Sequence, residues 1–354
     1  CRRGRRSIPK RTQIVKCRLA IVILNYNTRH LLDTYLPSIV KFSKGCRIVF
    51  ADNGSDDDSV EYVRSNFPQI EVLSFEKIYG FTGGYNKALQ SIDAECYCLL
   101  NSDVEVSEGW TERPLELLEQ NADIAACQPK LLSYCNKTMF EYAGAAGGYI
   151  DYLGYPFCAG RIFDTLEQDN GQYEQEREIF WASGAALFIK SELYHRFGGL
   201  DENFFAHMEE IDLCWRLKNA GYKIVYTPKS TVYHFGGGTL NKTSARKTYL
   251  NFRNNLLLLY KNLPKDKVKS VIRKRKVLDF VAAMAFLLGG KPKEAIAVRQ
   301  AHQDFKKTIH IYKEQTNNPD IYPDCVLHQS IVRLAKTGRV RHFSQIYNQI
   351  FNTK

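Results

Sequence analysis

"RLAIVILNYNTRHLLDTYLPSIVKFSKGCRIVFADNGSDDDSVEYVRSNF", residues 18–67, repeats one pattern twice. An apolar run, 18–24, ends in polar Asn25-Tyr26-Asn27, and "HLLDTYLPSIVKF" follows with apolar residues at helical spacing. A second run, 47–51, ends in Asp52-Asn53 and leads into a helix predicted to begin at Ser55 or Asp56. Asp56, Asp57 and Asp58 suit the positive N-terminal end of such a helix. The pattern continues outward. "IEVLSF" (70–75) precedes a glycine loop and helix, "GFTGGYNKALQSI" (80–92), and "CYCLLNSDVEV" (96–106) reads as a fourth strand. Apolar strands alternating with helices predict an α/β fold with a mostly parallel central sheet covered on both faces. In such sheets ligands sit at the C-terminal strand ends, where the polar loops fall here.

From about 125 to 180 the pattern blurs into glycine- and tyrosine-rich sequence. It recovers in "FWASGAALFIKSELYHRFGGLDENFF" (180–205), and a helix over 209–220 then stops at Gly221 before the strand "KIVYTP". Beyond 240 the chain reads as helical and basic. The expected division is a basic N-terminal arm, 1–17, a catalytic domain, 18–240, and a C-terminal helical region, 241–354, that could serve as a membrane-surface or dimer contact.

With 354 residues, 44% of them hydrophobic and 25% charged, the composition is that of an ordinary globular protein. The net charge of +11 concentrates in "CRRGRRSIPKRTQIVK" at the start and "KDKVKSVIRKRK" at 265–276, blocks that suit anionic lipid or another polyanion. Ten cysteines form no CxxC pair or regular framework, which fits a reducing, cytoplasmic setting and excludes a disulfide scaffold. The segment "VLDFVAAMAFLL" (277–288) contains an acid and is shorter than the roughly 20 residues a bilayer span needs. With the basic run before it, it could lie flat on the inner face of a membrane.

Polar side chains follow four of the strands: Asn25 and Asn27, Asp52 and Asn53, Asn101-Ser102-Asp103, and His234. In a parallel sheet all four sets crowd one rim, which suits a nucleotide. The backbone at Gly83 and Gly84 can approach a ligand closely, with the next helix N-terminus favouring phosphate and Asn86 within that helix. The loop is not GxGxxG, so a dinucleotide is disfavoured. Asp103 follows a buried strand and can bind Mg²⁺ or Mn²⁺ through oxygen, with His234 adding nitrogen. Packed core histidine and capping aspartate are the competing readings. The acids Glu209, Glu210 and Asp212 open a helix, where dipole stabilisation alone is one explanation.

Seven motifs in order resemble the family-2 inverting glycosyltransferases of the GT-A fold, in particular the bacterial rhamnosyltransferase-like branch. They are "VILNYNT", "ADNGSDD", "GFTGGYNKAL", "LLNSDVEV", the 180–205 stretch, "EEIDLCWRLKNAGYKIVYTP" and "VYHFGGG". The resemblance implies a Rossmann-like GT-A sheet and a nucleotide-diphosphate sugar donor held by Asn25, Asn27, Asp52, Asn53, Gly83, Gly84, Asn86, Asn101, Ser102 and Asp103. It implies a divalent cation, Mn²⁺ or Mg²⁺, on Asp103 and His234. It makes Glu210 the base on the acceptor hydroxyl, with Glu209 as rival, and places Trp181, Ser183, Gly184 and Asp212 around the sugar and acceptor. The acceptor class is a glycan or lipid-linked glycan, not nucleic acid. Two departures stand out: Asn101 replaces the first acid of the metal motif, and Glu210 replaces the usual aspartate. They leave a sugar-nucleotide-binding subunit without turnover as one alternative. A nucleotidyltransferase is another, disfavoured because "NYNTRH" is no basic activation loop.

Overall fold

The first apolar run forms β1 (Cys17–Asn25), buried almost throughout, and α1 (Arg29–Phe42) returns along it with Leu31, Leu32, Tyr35, Leu36 and Ile39 on the covered face. This computed structural model describes residues 17–236, 244–312 and 322–351. The repeat continues as β2 (Arg47–Asp52), α2 (Ser59–Asn66), β3 (Glu71–Ser74), α3 (Gly80–Leu89) and β4 (Ala94–Asn101). Next come β5 (Val104–Val106), α4 (Glu112–Gln120) and β6 (Ile124–Ser133). Four short strands follow: β7 (Gly148–Asp151), β8 (Pro156–Cys158), β9 (Arg161–Ile162) and β10 (Thr165–Leu166). The chain re-enters the main sheet through β11 (Arg177–Ile179), β12 (Ala186–Lys190), α5 (Ser191–Arg196), α6 (Glu209–Asn219) and β13 (Lys223–His234). It closes with α7 (Ala245–Asn262), α8 (Lys265–Leu288), α9 (Pro292–Thr308), β14 (Val326–Leu327), α10 (Ile331–Lys336) and α11 (Tyr347–Phe351).

The main sheet has the order β11-β13-β6-β12-β4-β1-β2-β3, with β5 paired to β13. Strands β3, β2, β1 and β4 are parallel. β12 runs antiparallel between β4 and β6, and β6 and β13 are again parallel to each other. β13 therefore points the same way as β1, β2 and β4, and His234 ends on the same rim as Asn25, Asp52 and Asn101. The expected mostly parallel α/β sheet with flanking and C-terminal helices is the observed one.

Two expectations need correction. First, α2 starts at Ser59, not at Ser55 or Asp56. The Asp52 carboxylate accepts from Ser55 N (3.1 Å) and Ser55 Oγ (2.5 Å), and Asn27 Oδ1 accepts from Asp56 N (2.8 Å). Side chains thus hold that stretch as a turn.

Second, the blurred stretch hides β6 and a second, five-stranded sheet, β10-β9-β8-β7-β14. Strands of two to four residues leave no readable period. The closing strand β14 arrives from the far C-terminal region, pairing Val326 with Ile150 and Leu327 with Asp151.

Residues beyond 240 form the expected C-terminal helices, and these pack on the catalytic part. Leu256, Leu257, Leu258 and Leu259 of α7 are fully buried in the larger core, each worth about 2 kcal/mol on burial. From the basic run of α8, Arg275 is buried against the catalytic part. It donates to Leu153 O (2.8 Å), pairs with Asp279 (3.2 Å) and lies 3.9 Å from the Tyr155 ring centre. The expected N-terminal arm, save Cys17, lies outside the described residues, as do Gly237 and Gly238 of "VYHFGGG".

Candidate active site

The rim begins as a polar network at the ends of β1, β2 and β4. Asn25, fully buried, donates through Nδ2 to Asp52 Oδ1 (2.9 Å) and Ser55 Oγ (3.1 Å) and accepts from the Thr28 hydroxyl. Thr28 Oγ1 also lies 3.2 Å from Ser102 Oγ, which joins the first strand to the fourth. Asp52 is enclosed, and its bonds make it a brace of this wall. Asn27, exposed and at φ 52, is the side chain of the set that faces solvent.

Beside this wall lies the cation candidate. His234 Nε2 stands 3.1 Å from Asp103 Oδ1 and 3.4 Å from Asn101 Nδ2. Burial opposes charge on His234, but Glu141 and Asp103 outweigh it and push the imidazolium up to about 10, so a cation at Nε2 would take the place of that proton. Glu141 Oε1 is 3.3 Å from His234 Nδ1, a contact with no sequence signal because Glu141 falls in the glycine- and tyrosine-rich stretch. Two ligands at right angles on a cation about 2.1 Å away sit about 3 Å apart, which is the Asp103–His234 spacing. Among the described residues no cluster of three or more His, Cys, Asp or Glu is placed to hold a metal. The pair therefore fits a cation whose remaining positions go to phosphate oxygens and water.

The glycine loop plays a different part from the one expected. Phe205 O accepts from Phe81 N (2.9 Å) and Thr82 N (3.3 Å), so the first donors of α3 are taken by protein and not offered to phosphate. A Cβ on Gly84 would meet Leu24 Cδ1 at 2.8 Å and one on Gly83 would meet Tyr79 Cβ at 3.0 Å; these glycines let α3 pack closely. Asn53 donates to Gly80 O and accepts from Tyr79 N, both at 2.9 Å. Asn86 is likewise internal, bonding Leu200 N and O and Tyr194.

The three acids of α6 separate by face. Asp212 is fully buried and accepts from Arg216 Nε, Lys261 Nζ and Asn262 Nδ2, each at 2.8 Å. Against its burial, these cations hold it down at about 2. It anchors α6 to α7 and does not reach an acceptor. Glu209 is buried, and its carboxyl is held well above the usual range by burial and then by Glu210 and Asp212. Glu210 is partly exposed, with an enclosed Oε2 that has no hydrogen-bond partner among the described residues. Burial pushes its carboxyl up to about 7, and backbone N–H groups at the helix start restrain the rise.

The loop entering α6 is held under strain. Phe205, His207 and Met208 have φ of 64°, 69° and 74°, a region that costs a non-glycine residue on the order of 1 kcal/mol. Asn254 of α7 holds it, donating to Phe204 O (2.9 Å), Ala206 O (2.8 Å) and His207 O (2.8 Å), while Arg253 bonds Asn203 O (2.7 Å). Sequence reasoning missed both residues because they lie in a helix assigned to another domain. Contacts link this loop to the cation side. Phe205 O binds α3, and the Phe81 ring lies where a Cβ on Gly184 would be 3.1 Å away. Ala185 O then accepts from Asn101 N (3.1 Å), and Asn101 touches His234.

Two expected sugar contacts turn inward. Trp181 Nε1 donates to Tyr149 O (2.9 Å) with its ring over Gly148, and Ser183 Oγ donates to Ala143 O (2.6 Å).

With this rim in view, comparison with known proteins is informative. Residues 20–164 match the family described as Glycosyl transferase family 2. Rhamnosyltransferase WbbL of Escherichia coli (strain K12) is 33% identical over 232 residues, which cover 61% of this chain and 82% of that protein. The chain belongs to glycosyltransferase family 2. It is a glycosyltransferase of the rhamnosyltransferase-like branch. The N-acetylglucosaminyl-diphospho-decaprenol L-rhamnosyltransferase of Mycobacterium tuberculosis (strain ATCC 25618 / H37Rv) is 25% identical over 61% of this chain and 75% of its own. Among solved structures, S. aureus TarS 1-349 in complex with UDP-GlcNAc superposes with a TM-score of 0.53 at 14% identity, over 81% of this chain and 80% of that one. GalNAc-T7 with UDP, GalNAc and Mn2+ gives 0.54 at 15% identity, over 85% of this chain and 58% of its own. At those identities the structures show the shared GT-A fold.

Proposed function

We propose that this glycosyltransferase moves a sugar, rhamnose or a related hexose, from a nucleotide-diphosphate donor to a hydroxyl of a glycan or lipid-linked glycan, with inversion at the anomeric carbon. One observation carries the reading. A carboxylate with an unpartnered, enclosed oxygen and a proton affinity near neutrality, Glu210, opens the helix after the 203–208 loop, and that loop bonds α3, which packs on Leu24 and Asn53 at the strand-end rim. The names of the Escherichia coli and Mycobacterium tuberculosis relatives support rhamnose, and that of the second supports a polyprenyl-diphosphate-linked acceptor.

The acceptor oxygen attacks the anomeric carbon opposite the diphosphate. Its bond to carbon forms as the carbon–oxygen bond to the diphosphate breaks, and that electron pair leaves with the diphosphate. Glu210 takes the acceptor proton, which its raised proton affinity favours. Asp103 and His234 would hold Mn²⁺ or Mg²⁺, whose Lewis acidity stabilises charge on the departing diphosphate by several kcal/mol. Glu141 keeps the imidazole of His234 turned with Nε2 toward the rim. The Asn25–Asp52–Ser55 brace shapes the wall for the nucleoside, and Asn27, Asn101 and Ser102 line the donor side.

The test is a screen of nucleotide-sugars for release of nucleoside diphosphate, with and without Mn²⁺, followed by proton NMR of the product's anomeric centre. Cation-dependent release from a deoxythymidine or uridine diphosphate hexose, with inverted product, is expected. Absence of release from any donor in the presence of glycan acceptors would leave a binding subunit; retained configuration would remove Glu210 as the base.

A further inference from the structure

α8 presents two chemistries along one exposed face. Over its later turns Val277 (61% exposed), Phe280 (66%), Val281 (58%), Met284 (41%) and Leu288 (87%) face solvent. Their spacing of 3, 4, 7 and 11 from Val277 places them in a single stripe. Over its earlier turns the exposed side chains include Lys269, Arg273, Lys274 and Lys276, and exposed Lys291 and Lys293 follow the helix just past its apolar tip. From 267 to 293 the one acid is Asp279, which is buried and paired with Arg275. The face therefore combines a large apolar ridge with cations at both ends, and the exposed acid of α8, Asp266, lies at its first turn paired with Lys267. Single exposed leucines are ordinary, but a continuous ridge of this kind marks a contact surface.

We propose that this face of α8 docks on an anionic lipid surface, its ridge among the acyl chains and its lysines and arginines at the headgroups. Charge selects this occupant over a second copy of the chain. A two-fold contact would set the basic half of α8 either against itself or against the partner's apolar half, and neither arrangement neutralises it. An anionic leaflet supplies charge to the basic half and a hydrocarbon layer to the ridge at once. No helix among the described residues is long and apolar enough to cross a membrane, so the contact is with one leaflet. The opposite face of α8 is fixed to the protein through Val271, Ile272, Arg275 and Asp279, which holds the ridge outward.

The full chain is sedimented with phosphatidylcholine vesicles and with vesicles containing about one-third phosphatidylglycerol, at about 0.05 and 0.5 M salt, where screening lengths differ about threefold. Partitioning onto anionic vesicles at low salt is expected to exceed that onto neutral ones about tenfold or more and to fall at high salt. Phe280→Ser with Leu288→Ser, and separately Arg273→Glu with Lys276→Glu, should each lower it about tenfold while donor turnover is unchanged. No binding at low salt, or equal binding to both vesicle types, overturns the proposal. So does light scattering that finds a dimer dissociated by the Phe280/Leu288 variant. Any of these failures leaves the sugar-transfer reading intact, because the substituted residues are exposed on α8 and none belongs to the rim.

Discussion

Glu209→Gln and Glu210→Gln swap the same atoms one residue apart, and the site predicts opposite outcomes. The Glu209 carboxyl is held well above the usual range by burial and two neighbouring acids. Glutamine is nearly a copy of the protonated acid, so Glu209→Gln should keep kcat/KM within about threefold of the unmodified chain. Glu210, raised to about 7, is about half ionised at pH 7 and acts only when ionised. A placed base contributes about 10² to 10⁴ in rate, or about 2.7 to 5.5 kcal/mol of barrier. Glu210→Gln should lose that much.

The pH profile separates the two further. As pH falls through about 7 the base protonates, so kcat/KM should drop about tenfold per pH unit below it and plateau above it. That limb should persist in Glu209→Gln and vanish from the residual activity of Glu210→Gln. Initial rates of nucleoside diphosphate release, measured between about pH 5.5 and 9, provide the assay. Equal loss in both variants, or near-normal turnover in Glu210→Gln, refutes the assignment.

Asp103→Asn should weaken Mn²⁺-dependent binding of the nucleoside diphosphate at least about tenfold by calorimetry, and unchanged affinity would remove Asp103 as a cation ligand. Asp212→Asn removes the buried charge shared by Arg216 and Lys261, leaving Lys261 with Asp201, and should lower the unfolding free energy by about 3 kcal/mol at pH 7. The folded carboxyl is depressed from 3.8 to about 2, so that stabilisation is full above about pH 4 and lost toward pH 2; denaturant midpoints that differ equally at both pH values would contradict it. Asn254→Ala leaves buried carbonyls of the strained loop unpaired, at about 2 kcal/mol, and should speed amide exchange across 203–208 while lowering kcat. Unaltered exchange and kcat would show that the loop holds itself.

In the proposed mechanism the C-terminal helices bear on the reaction as well as on stability. Asn254 fixes the loop that delivers Glu210, and Lys261 and Asn262 fix the helix that carries it. A boundary near 240 was a natural reading, since composition turns basic there and the strand–helix alternation ends. Composition does not record which leucines meet which sheet. The candidate residues divide in the same way. Asn25, Asp52, Ser102, Asp103 and His234 converge as expected because each follows a strand of one direction. Asn53, Asn86, Trp181, Ser183 and Asp212 were singled out by motif position, but their side chains bond inward.

By itself the sequence determined the alternation of strands and helices, the polar residue at each strand end, and the acids opening α6, because burial periods and strand direction are local properties of the chain. The tertiary structure alone decided that Glu209 is the more deeply buried of two adjacent glutamates, that Glu141 stands behind His234, and that α7 holds the loop entering α6. Those depend on how far a charge lies from water and on contacts between segments about fifty to ninety residues apart in the chain.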